Sequence, residues 1–280
     1  MNKTFVVSEI GINHNGSLDI AKKLILAAKE SGCDAVKFQK RNIERVYLKD
    51  ELNKPRESPW GTTNKDQKLG LEFNKEQYDE INKYCKEINI EWFVSCWDLN
   101  SIEFMKQYNC PYNKIASAML THIDLLKEIA RERKLTFIAT GMSTIEEIGK
   151  AIEIFKDRGC PFILMHTNSQ YPCSETNANL KCIKLLKHQF DCTVGYSSHC
   201  IGIIDCIAAI CMGATVIEKH ITLDRAMYGS DQSSSVEPQG FKKMIEYIRC
   251  VETTFGNGEK IVTPEEEIIK KKLRRTQDYV

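Results

Sequence analysis

The 280-residue sequence lacks several features that would place it in a common class of protein. Its twelve cysteines include no pair with CxxC spacing, which argues against structural zinc, and we expect them to be reduced and mostly buried. There is no GxxxxGK[ST] or GxGxxG motif, so neither a P-loop nor a dinucleotide-binding turn is supported. Lys and Arg (39) balance Asp and Glu (38), which gives no electrostatic reason to expect nucleic acid or an anionic membrane as a partner.

Long apolar runs are also missing. The longest, residues 201–217, contains Asp205 and is shorter than the roughly 20 residues that a membrane-spanning helix needs. The start of the chain has too short an apolar stretch for a signal peptide and reaches Glu9 almost at once. We therefore expect a cytoplasmic protein with no membrane span.

Short apolar segments alternate with helical patterns along the whole chain. Eight strand-like segments are each followed by a helical pattern, at 4–9, 35–39, 91–95, 112–116, 135–140, 162–166, 192–195 and 215–219. Eight such units, with no strand-like segment left over, predict an α/β fold. We expect a single-domain (β/α)8 TIM barrel rather than an open doubly wound sheet.

We assign residues 1–265 to the barrel and residues 266–280 to a basic C-terminal tail. The barrel includes a long loop between its second strand and second helix, at about 40–72, which contains Pro55 and Pro59. Such a loop is too long for an ordinary connection, so we expect it to cover the barrel mouth.

Polar side chains occur at the carboxyl end of every predicted strand, the face on which barrels of this type carry their chemistry. Lys37 and Lys114 each interrupt an apolar strand, and a buried ammonium needs an anionic partner. For Lys37 this partner could be Glu9, Asp34 or a bound anion. The two lysines and the nearby serine hydroxyls suit a phosphorylated carboxylic acid, although each serine could instead be a strand-end or capping hydroxyl.

Two histidines end the last two predicted strands. His199 and His220 could share a divalent cation, with carboxylates such as Glu9, Glu218 or Asp231 and water completing an octahedron. Such a mixture of nitrogen and oxygen ligands suits Mn²⁺ or Mg²⁺ better than structural zinc. A general acid/base histidine with a structural companion is the alternative.

Several segments resemble, in order and spacing, the sialic acid synthase family: EIGINHNG, DAVKFQK, YNKIAS, ATGMS, HTNSQYP, VGYSSH, and IEKHITLDR followed by GSDQSSSVEP. The resemblance covers nearly the whole chain. It implies a transferase that condenses phosphoenolpyruvate with an N-acylated amino sugar, typically N-acetylmannosamine, to a nine-carbon 2-keto acid and phosphate. The family is usually dimeric, so a homodimer is expected.

The resemblance also implies roles for individual residues. It implies a metal, held by His199 and His220, that polarises the open-chain aldehyde of the sugar. Glu9 matches the carboxylate after the first strand, either as the group that handles the water proton or as an ion-pair partner of a lysine. Contacts to phosphoenolpyruvate match Lys37, Lys114, Ser117, Ser143, Ser169 and Ser197, and contacts to the sugar match Gln39, Tyr171 and Asp231.

Three departures from the family pattern limit this comparison. Met119 stands where the family usually has an acidic residue, and Ser198 stands where the motif often reads SDH, which removes a nearby carboxylate. Residues 266–280 resemble the linker to the family's C-terminal antifreeze-like domain, so we expect a catalytic barrel without that domain, either truncated or naturally short.

Other functions stay open. Legionaminate, pseudaminate and related synthases share the reaction class and differ mainly in the sugar pocket. A metal-dependent barrel hydrolase would need more histidines after the first strand than His14, which we interpret as a loop-organising residue. A non-catalytic sugar-phosphate sensor is the third possibility, and Met119 motivates it.

Overall fold

The computed structural model describes residues 3–275 and shows a closed barrel of eight parallel strands. In chain order the strands are β1 (Phe5–Gly11), β2 (Ala35–Lys40), β3 (Pro55–Ser58), β4 (Gly61–Thr63), β5 (Glu91–Cys96), β6 (Tyr112–Ile115), β7 (Leu135–Ala139), β8 (Phe162–Thr167), β9 (Val194–Ser198) and β10 (Val216–His220). All except β3 and β4 form the barrel in sequential order, and β10 pairs with β1 to close it. The predicted single-domain TIM barrel is confirmed.

Helices surround the barrel and follow its strands. They are α1 (Leu18–Ser31), α2 (Ile43–Val46), α3 (Lys49–Leu52), α4 (Asn64–Gly70), α5 (Lys75–Glu87), α6 (Leu99–Met105), α7 (Ile123–Arg131), α8 (Ile145–Asp157), α9 (Glu175–Ala178), α10 (Lys181–Phe190), α11 (Ile204–Cys211), α12 (Pro238–Thr254) and α13 (Pro264–Leu273). Side-chain caps fix several starts: Ser17 accepts a hydrogen bond from the Ile20 N–H, and Thr144 forms a capping box with Glu147. Among residues 3–275, no helix is long and apolar enough to cross a membrane.

An aromatic layer fills the barrel below the carboxyl ends of its strands. The ring of Phe137 lies 6.0 Å from that of Phe5 and 5.6 Å from those of Phe93 and Tyr112, measured between centroids. Side chains alternate between the two faces of a strand, so residues two positions further along point the same way. On β5, β6 and β7 these residues are Ser95, Lys114 and Ala139. The aromatic layer therefore forms an apolar floor beneath the layer that contains Ser95, Lys114 and Ala139.

The strand β9 was placed wrongly by the sequence pattern. We predicted a strand at 192–195, whereas β9 runs over Val194–Ser198 and all five of its residues are buried. The polar residues in its sequence do not suggest a buried strand. A hydroxyl can nevertheless be buried when it forms a hydrogen bond with another group of the protein. The Tyr196 and Ser198 hydroxyls donate to Asp205, and the Ser197 hydroxyl donates to Glu218.

The segment after β2 contains more structure than a loop. It holds the antiparallel β3–β4 hairpin together with α2, α3 and α4. Trp60, at the hairpin turn, packs against Gly70 and lies 6.0 Å from the ring of Tyr228, which belongs to the segment after β10. The Tyr228 carbonyl also accepts a hydrogen bond from Asn15. These contacts join the hairpin to the loops after β1 and β10.

The cysteines and His14 behave largely as expected. All twelve cysteines are free thiols; eight are buried, but Cys211 and Cys250 are exposed on the outer helices. His14 organises its loop, since its Nδ1 accepts a hydrogen bond from the Gly16 N–H and its ring stacks on Phe73 at 4.0 Å. Burial and nearby Arg41 lower the pKa of His14 to about 3, so the imidazole is neutral.

Gly70→Ala tests the contact between the hairpin and α4. A Cβ at this position would lie 2.1 Å from Trp60 Cγ, so the indole would have to move. We expect the free energy of unfolding to fall by about 1–3 kcal/mol in urea unfolding. In a Trp60→Ala background the same change should cost almost nothing, and an equal cost in both backgrounds would contradict this contact.

Candidate active site

A cavity of about 200 Å³ opens at the carboxyl ends of the barrel strands. Strand alternation turns every second side chain of each strand into it. Its wall is formed by Glu9, Lys37, Gln39, Ser95, Trp97, Lys114, Ala116, Ser117, Ala118, Ala139, Met142, Thr167, Ser169, Tyr171, Ser197, His199, Glu218 and His220. Polar groups from the barrel strands and the loops that follow them therefore meet in one place.

Four buried charges form an ion-pair cluster, which we define as Glu9, Lys37, Lys114 and Glu218. Lys37 Nζ lies 2.7 Å from Glu9 Oε2, and Lys114 Nζ donates to Glu218 Oε2 at 2.9 Å. Glu218 Oε1 accepts a hydrogen bond from Ser197 Oγ at 3.0 Å and lies 3.7 Å from Lys37 Nζ, so it links the two pairs. The cluster holds two positive and two negative charges in a setting where an unpaired charge would be costly.

Mutual pairing sets the protonation of the cluster. Burial alone would raise the pKa of Glu218, but Lys114 and Lys37 outweigh it and lower that pKa. For Lys37, burial lowers the pKa, yet Glu218 and Glu9 more than offset it and the pKa is raised. Burial prevails at Lys114, whose pKa is lowered. Lys114 is thus the ammonium from which a proton is more easily lost.

Two imidazoles lie on one side of the cavity. The rings of His199 and His220 are 5.5 Å apart between centroids. His199 Nδ1 lies 2.5 Å from the Asn168 carbonyl, which can only accept, so the proton is on Nδ1. His199 Nε2 then carries the lone pair and accepts a hydrogen bond from the Tyr171 hydroxyl at 2.6 Å. Burial and the neighbouring His220 lower the pKa of His199 to about 3, so it stays neutral.

The imidazoles fit a divalent cation held with few protein ligands. His220 Nδ1 is buried without a hydrogen-bond partner among the described residues, and Asp231 Oδ2 lies 3.9 Å from it. Within residues 3–275 no group of three or more His, Cys, Asp or Glu side chains is arranged to hold a metal ion. A cation here would take the lone pair that the Tyr171 hydroxyl now contacts. Its other positions would be filled by substrate oxygens and water, as in catalytic rather than structural sites.

Two hydroxyls converge on the turn after β7. Ser117 Oγ accepts a hydrogen bond from the Gly141 N–H at 3.1 Å. A Cβ at Gly141 would lie 2.3 Å from Ser169 Oγ and 2.8 Å from Ser117 Oγ, so only glycine leaves room for both. The Gly141 N–H is occupied by Ser117 Oγ, so the Ser117 and Ser169 hydroxyls are the donors that this wall can offer to an anion.

Ten of the twelve residues that we predicted from the sequence line this cavity. Ser143 does not: its hydroxyl donates to the Gly141 carbonyl at 3.1 Å, in the turn after β7. Asp231 also lies outside the wall, and its Oδ2 is 3.9 Å from His220 Nδ1. Both follow the strand ends by several residues, where loop geometry rather than strand alternation decides direction.

Glu218 and Trp97 also line the cavity, and neither was predicted as a substrate or catalytic residue. Glu218 was considered only as a possible metal ligand, yet lysines and Ser197 occupy both of its carboxylate oxygens. Its position two residues before His220 on one strand was the available signal. Lys37 pairs with Glu9 among its three possible partners, since Asp34 pairs with Lys3 instead. No comparable pattern pointed to Trp97.

The fold and the position of the cavity are those of a TIM-barrel enzyme, with its site at the carboxyl face of the strands. The family model described as the NeuB family matches residues 24–260. The chain belongs to the NeuB family.

Relatives and solved structures agree with this assignment. The N-acetylneuraminate-9-phosphate synthase of Mus musculus is 35% identical over 97% of this chain and 77% of its own length. The N,N'-diacetyllegionaminic acid synthase of Legionella pneumophila is 34% identical over 97% of this chain and 79% of its own. The N-acetylneuraminic acid synthetase of Leptospira borgpetersenii, solved in complex with citrate, superposes with a TM-score of 0.86 at 30% identity, covering 98% of this chain and 94% of that one. These relatives are named as synthases of the sialic and legionaminic acid type.

Glu218→Gln tests the ion-pair cluster. The change keeps the shape but leaves Lys114 buried without a carboxylate partner, so we expect the free energy of unfolding to fall by about 3 kcal/mol at neutral pH in urea unfolding. Glu146→Gln is the matched control, because Glu146 and Lys150 form an exposed pair at 2.7 Å. That change should leave the urea-unfolding curve unchanged within experimental error, because exposed ion pairs contribute little to stability.

The pH dependence checks the same pair. Folding lowers the pKa of Glu218 from its ordinary value of 4.5. The ionised carboxylate therefore contributes fully to the stability of the fold above pH 4.5, and this contribution is lost as the pH falls toward the lower pKa of the folded state. The stability difference between the wild type and Glu218→Gln should therefore shrink from about pH 5 to about pH 3. A difference that stays constant across this range would contradict the pairing.

Proposed function

We propose that this chain condenses phosphoenolpyruvate with an N-acylated amino sugar and water, giving a nine-carbon 2-keto sugar acid and phosphate. The observation that carries the proposal is the convergence of two buried ammoniums, several hydroxyls and two imidazoles on one cavity of a NeuB-family barrel. Similar relatives are named as synthases of N-acetylneuraminate 9-phosphate and of diacetyllegionaminic acid.

The ammoniums and hydroxyls would bind phosphoenolpyruvate, which carries roughly −2.5 to −3 charges near neutral pH. Lys37 and Lys114 would donate charge-assisted hydrogen bonds to its phosphate and carboxylate, and Ser117 and Ser169 would add neutral ones. The ion-pair cluster is neutral overall. Its lysines would therefore orient phosphoenolpyruvate through their hydrogen bonds more than they would attract it by a net positive charge. A bound cation beside the cluster would supply the missing positive charge.

In the proposed reaction, the C2=C3 π electrons of phosphoenolpyruvate form the bond from C3 to the aldehyde carbon of the sugar. The aldehyde C=O π bond breaks, its oxygen becomes an alkoxide that takes up a proton, and C2 is left electron-deficient. Water then adds at C2, and the bond from C2 to the phosphate oxygen breaks to release phosphate. Lys37 and Lys114 are already fixed by their carboxylates, so they can stabilise charge on the departing phosphate without rearrangement. Glu9 is our candidate to accept the proton of the water, and a purely structural pairing with Lys37 is the alternative.

His199 and His220 would hold Mn²⁺ or Mg²⁺, which when bound acts as a Lewis acid on the sugar aldehyde. The Asn168 carbonyl prepares His199 for this role, because it keeps the proton on Nδ1 and leaves the Nε2 lone pair available. The Tyr171 hydroxyl, freed from Nε2, could then donate to the sugar. Burial raises the pKa of Tyr171 well above its usual value, so it remains a donor.

The acceptor in the proposed reaction is an N-acylated amino sugar. N-acetylmannosamine is our first choice, with Gln39, Tyr171 and Asp231 as sugar contacts. Diacetylated sugars that lead to legionaminate or pseudaminate are the second choice, because relatives of those names are about as similar to this chain. A barrel hydrolase and a non-catalytic sugar-phosphate sensor remain the contrasting functions.

Phosphate release separates these functions. The purified chain should release phosphate only when phosphoenolpyruvate, Mn²⁺ and one member of a panel of N-acylated hexosamines are all present. The keto acid should form in equal amount, measured by mass spectrometry. Phosphate release from other phosphate esters without phosphoenolpyruvate would favour a hydrolase, and no release with any sugar would favour a sensor.

His220→Ala tests the proposed metal site. We expect metal-dependent turnover to fall by about 1000-fold, because Lewis-acid stabilisation contributes several kcal/mol and each 1.36 kcal/mol is tenfold in rate. Circular dichroism should show an intact fold. His188→Ala, at the exposed end of α10, is the control and should keep full turnover. A His220→Ala variant that kept its rate would remove the imidazoles from the metal assignment.

A further inference from the structure

Behind the cavity wall, Lys219 is fully buried between the barrel and the helices. Its two neighbours in sequence line the cavity, so alternation along β10 turns Lys219 to the opposite face. The ammonium donates to Ser198 Oγ at 2.8 Å and also to the Cys200 carbonyl. Ser198 and Cys200 are the residues on either side of His199. One side chain of β10 therefore holds both flanks of a cavity residue that follows β9.

The carboxylate of Asp205 balances the charge of Lys219, and the Ser198 hydroxyl links the two groups. Ser198 Oγ accepts from the ammonium and donates to Asp205 Oδ2 at 2.5 Å. The Tyr196 hydroxyl donates to the same oxygen at 2.9 Å. Asp205 lies in the first turn of α11, where the helix dipole favours a carboxylate. The three side chains Lys219, Ser198 and Asp205 form a buried chain, and each member keeps the next ordered.

His199 depends on this chain for its backbone and on its own contacts for its ring. Its carbonyl accepts a hydrogen bond from the Cys173 N–H at 2.9 Å, and its Nδ1 donates to the Asn168 carbonyl. Both contacts need the backbone at 198–200 to stay in place. If the flanks of His199 shift, the distance from its Nδ1 to the Asn168 carbonyl changes and the tautomer is no longer fixed.

We propose that Lys219, joined through Ser198 to Asp205, is a positioning residue that fixes the tautomer and orientation of the His199 imidazole. The effect on turnover rests on the proposed function, whereas the effect on the imidazole does not. Asp205, in the first turn of α11, supplies the carboxylate of this buried chain of side chains.

Moving the carboxylate tests the proposal. Asp205→Asn removes the charge and keeps the size of the side chain. The double variant S198D/D205N returns a carboxylate to the same place from β9 instead of α11, directly beside Lys219. Asp157→Asn, at the exposed end of α8, is the matched control for the loss of one carboxylate. If Asp205→Asn does not fold, Ser198→Ala replaces it, since it removes the linking hydroxyl alone.

The first measurement uses the whole metal-free chain labelled with ¹⁵N-histidine. Long-range ¹H–¹⁵N spectra report the tautomer of each imidazole, and a His199→Gln sample identifies the signals of His199. The wild type and Asp157→Asn should show the Nδ1–H tautomer at His199. Asp205→Asn should show a mixture of tautomers, and S198D/D205N should restore the single form. Unchanged His199 signals in a folded Asp205→Asn variant, or a loss that the double variant does not restore, would overturn the proposal.

The second measurement follows the consequence for the site. Binding of Mn²⁺ alone, measured by electron paramagnetic resonance of the free ion, should weaken by about tenfold in Asp205→Asn and recover in S198D/D205N. kcat should fall while KM for phosphoenolpyruvate stays within about twofold, a split that general destabilisation would not produce. A wild type that binds no Mn²⁺ and releases no phosphate would refute the proposed function, and the ¹⁵N spectra would then decide the positioning role alone.

Discussion

The link between Glu218 and two lysines is the interaction on which the rest of the site depends. Its carboxylate accepts contacts from Lys114, Lys37 and Ser197, and so connects three other strands of the barrel above an apolar floor. Without this pairing, the buried charges would be expelled or neutralised. With it, the cluster is neutral and fixed before any substrate arrives. Both oxygens of Glu218 are engaged, so the metal that we propose would depend on the two imidazoles rather than on this carboxylate.

The barrel was predictable because its evidence is local and repeated. Apolar alternation and helical periodicity recur through eight units, and an error in one unit does not change the count. The strand β9 shows where local reasoning ends. Its sequence VGYSS looks like a loop, and its burial depends on Asp205 and Glu218, which come from α11 and β10. Such partners are brought together only by the closed fold.

In the candidate active site, too, some residues could be predicted from the sequence, whereas most of their contacts could not. Lys37, Lys114, His199 and His220 could be named because a charged or imidazole side chain at a strand end must point into the barrel or be satisfied there. Glu9 could be named as one possible partner of Lys37, but the pairing of Lys114 with Glu218 could not be read, since these residues are far apart in the chain. The hydroxyl of Ser143 and the carboxylate of Asp231 follow loops, whose direction strand alternation does not determine.

The contact between Trp60 and Tyr228 makes two distant loops one unit. Trp60 lies in the hairpin after β2, and Tyr228 lies in the segment after β10. The latter segment also carries Asp231, three residues beyond Tyr228. Replacing either loop alone with that of a relative would remove one of the two rings from this contact. Substitutions in one of these loops should therefore be accompanied by substitutions in the other, and the two sets should be inherited together.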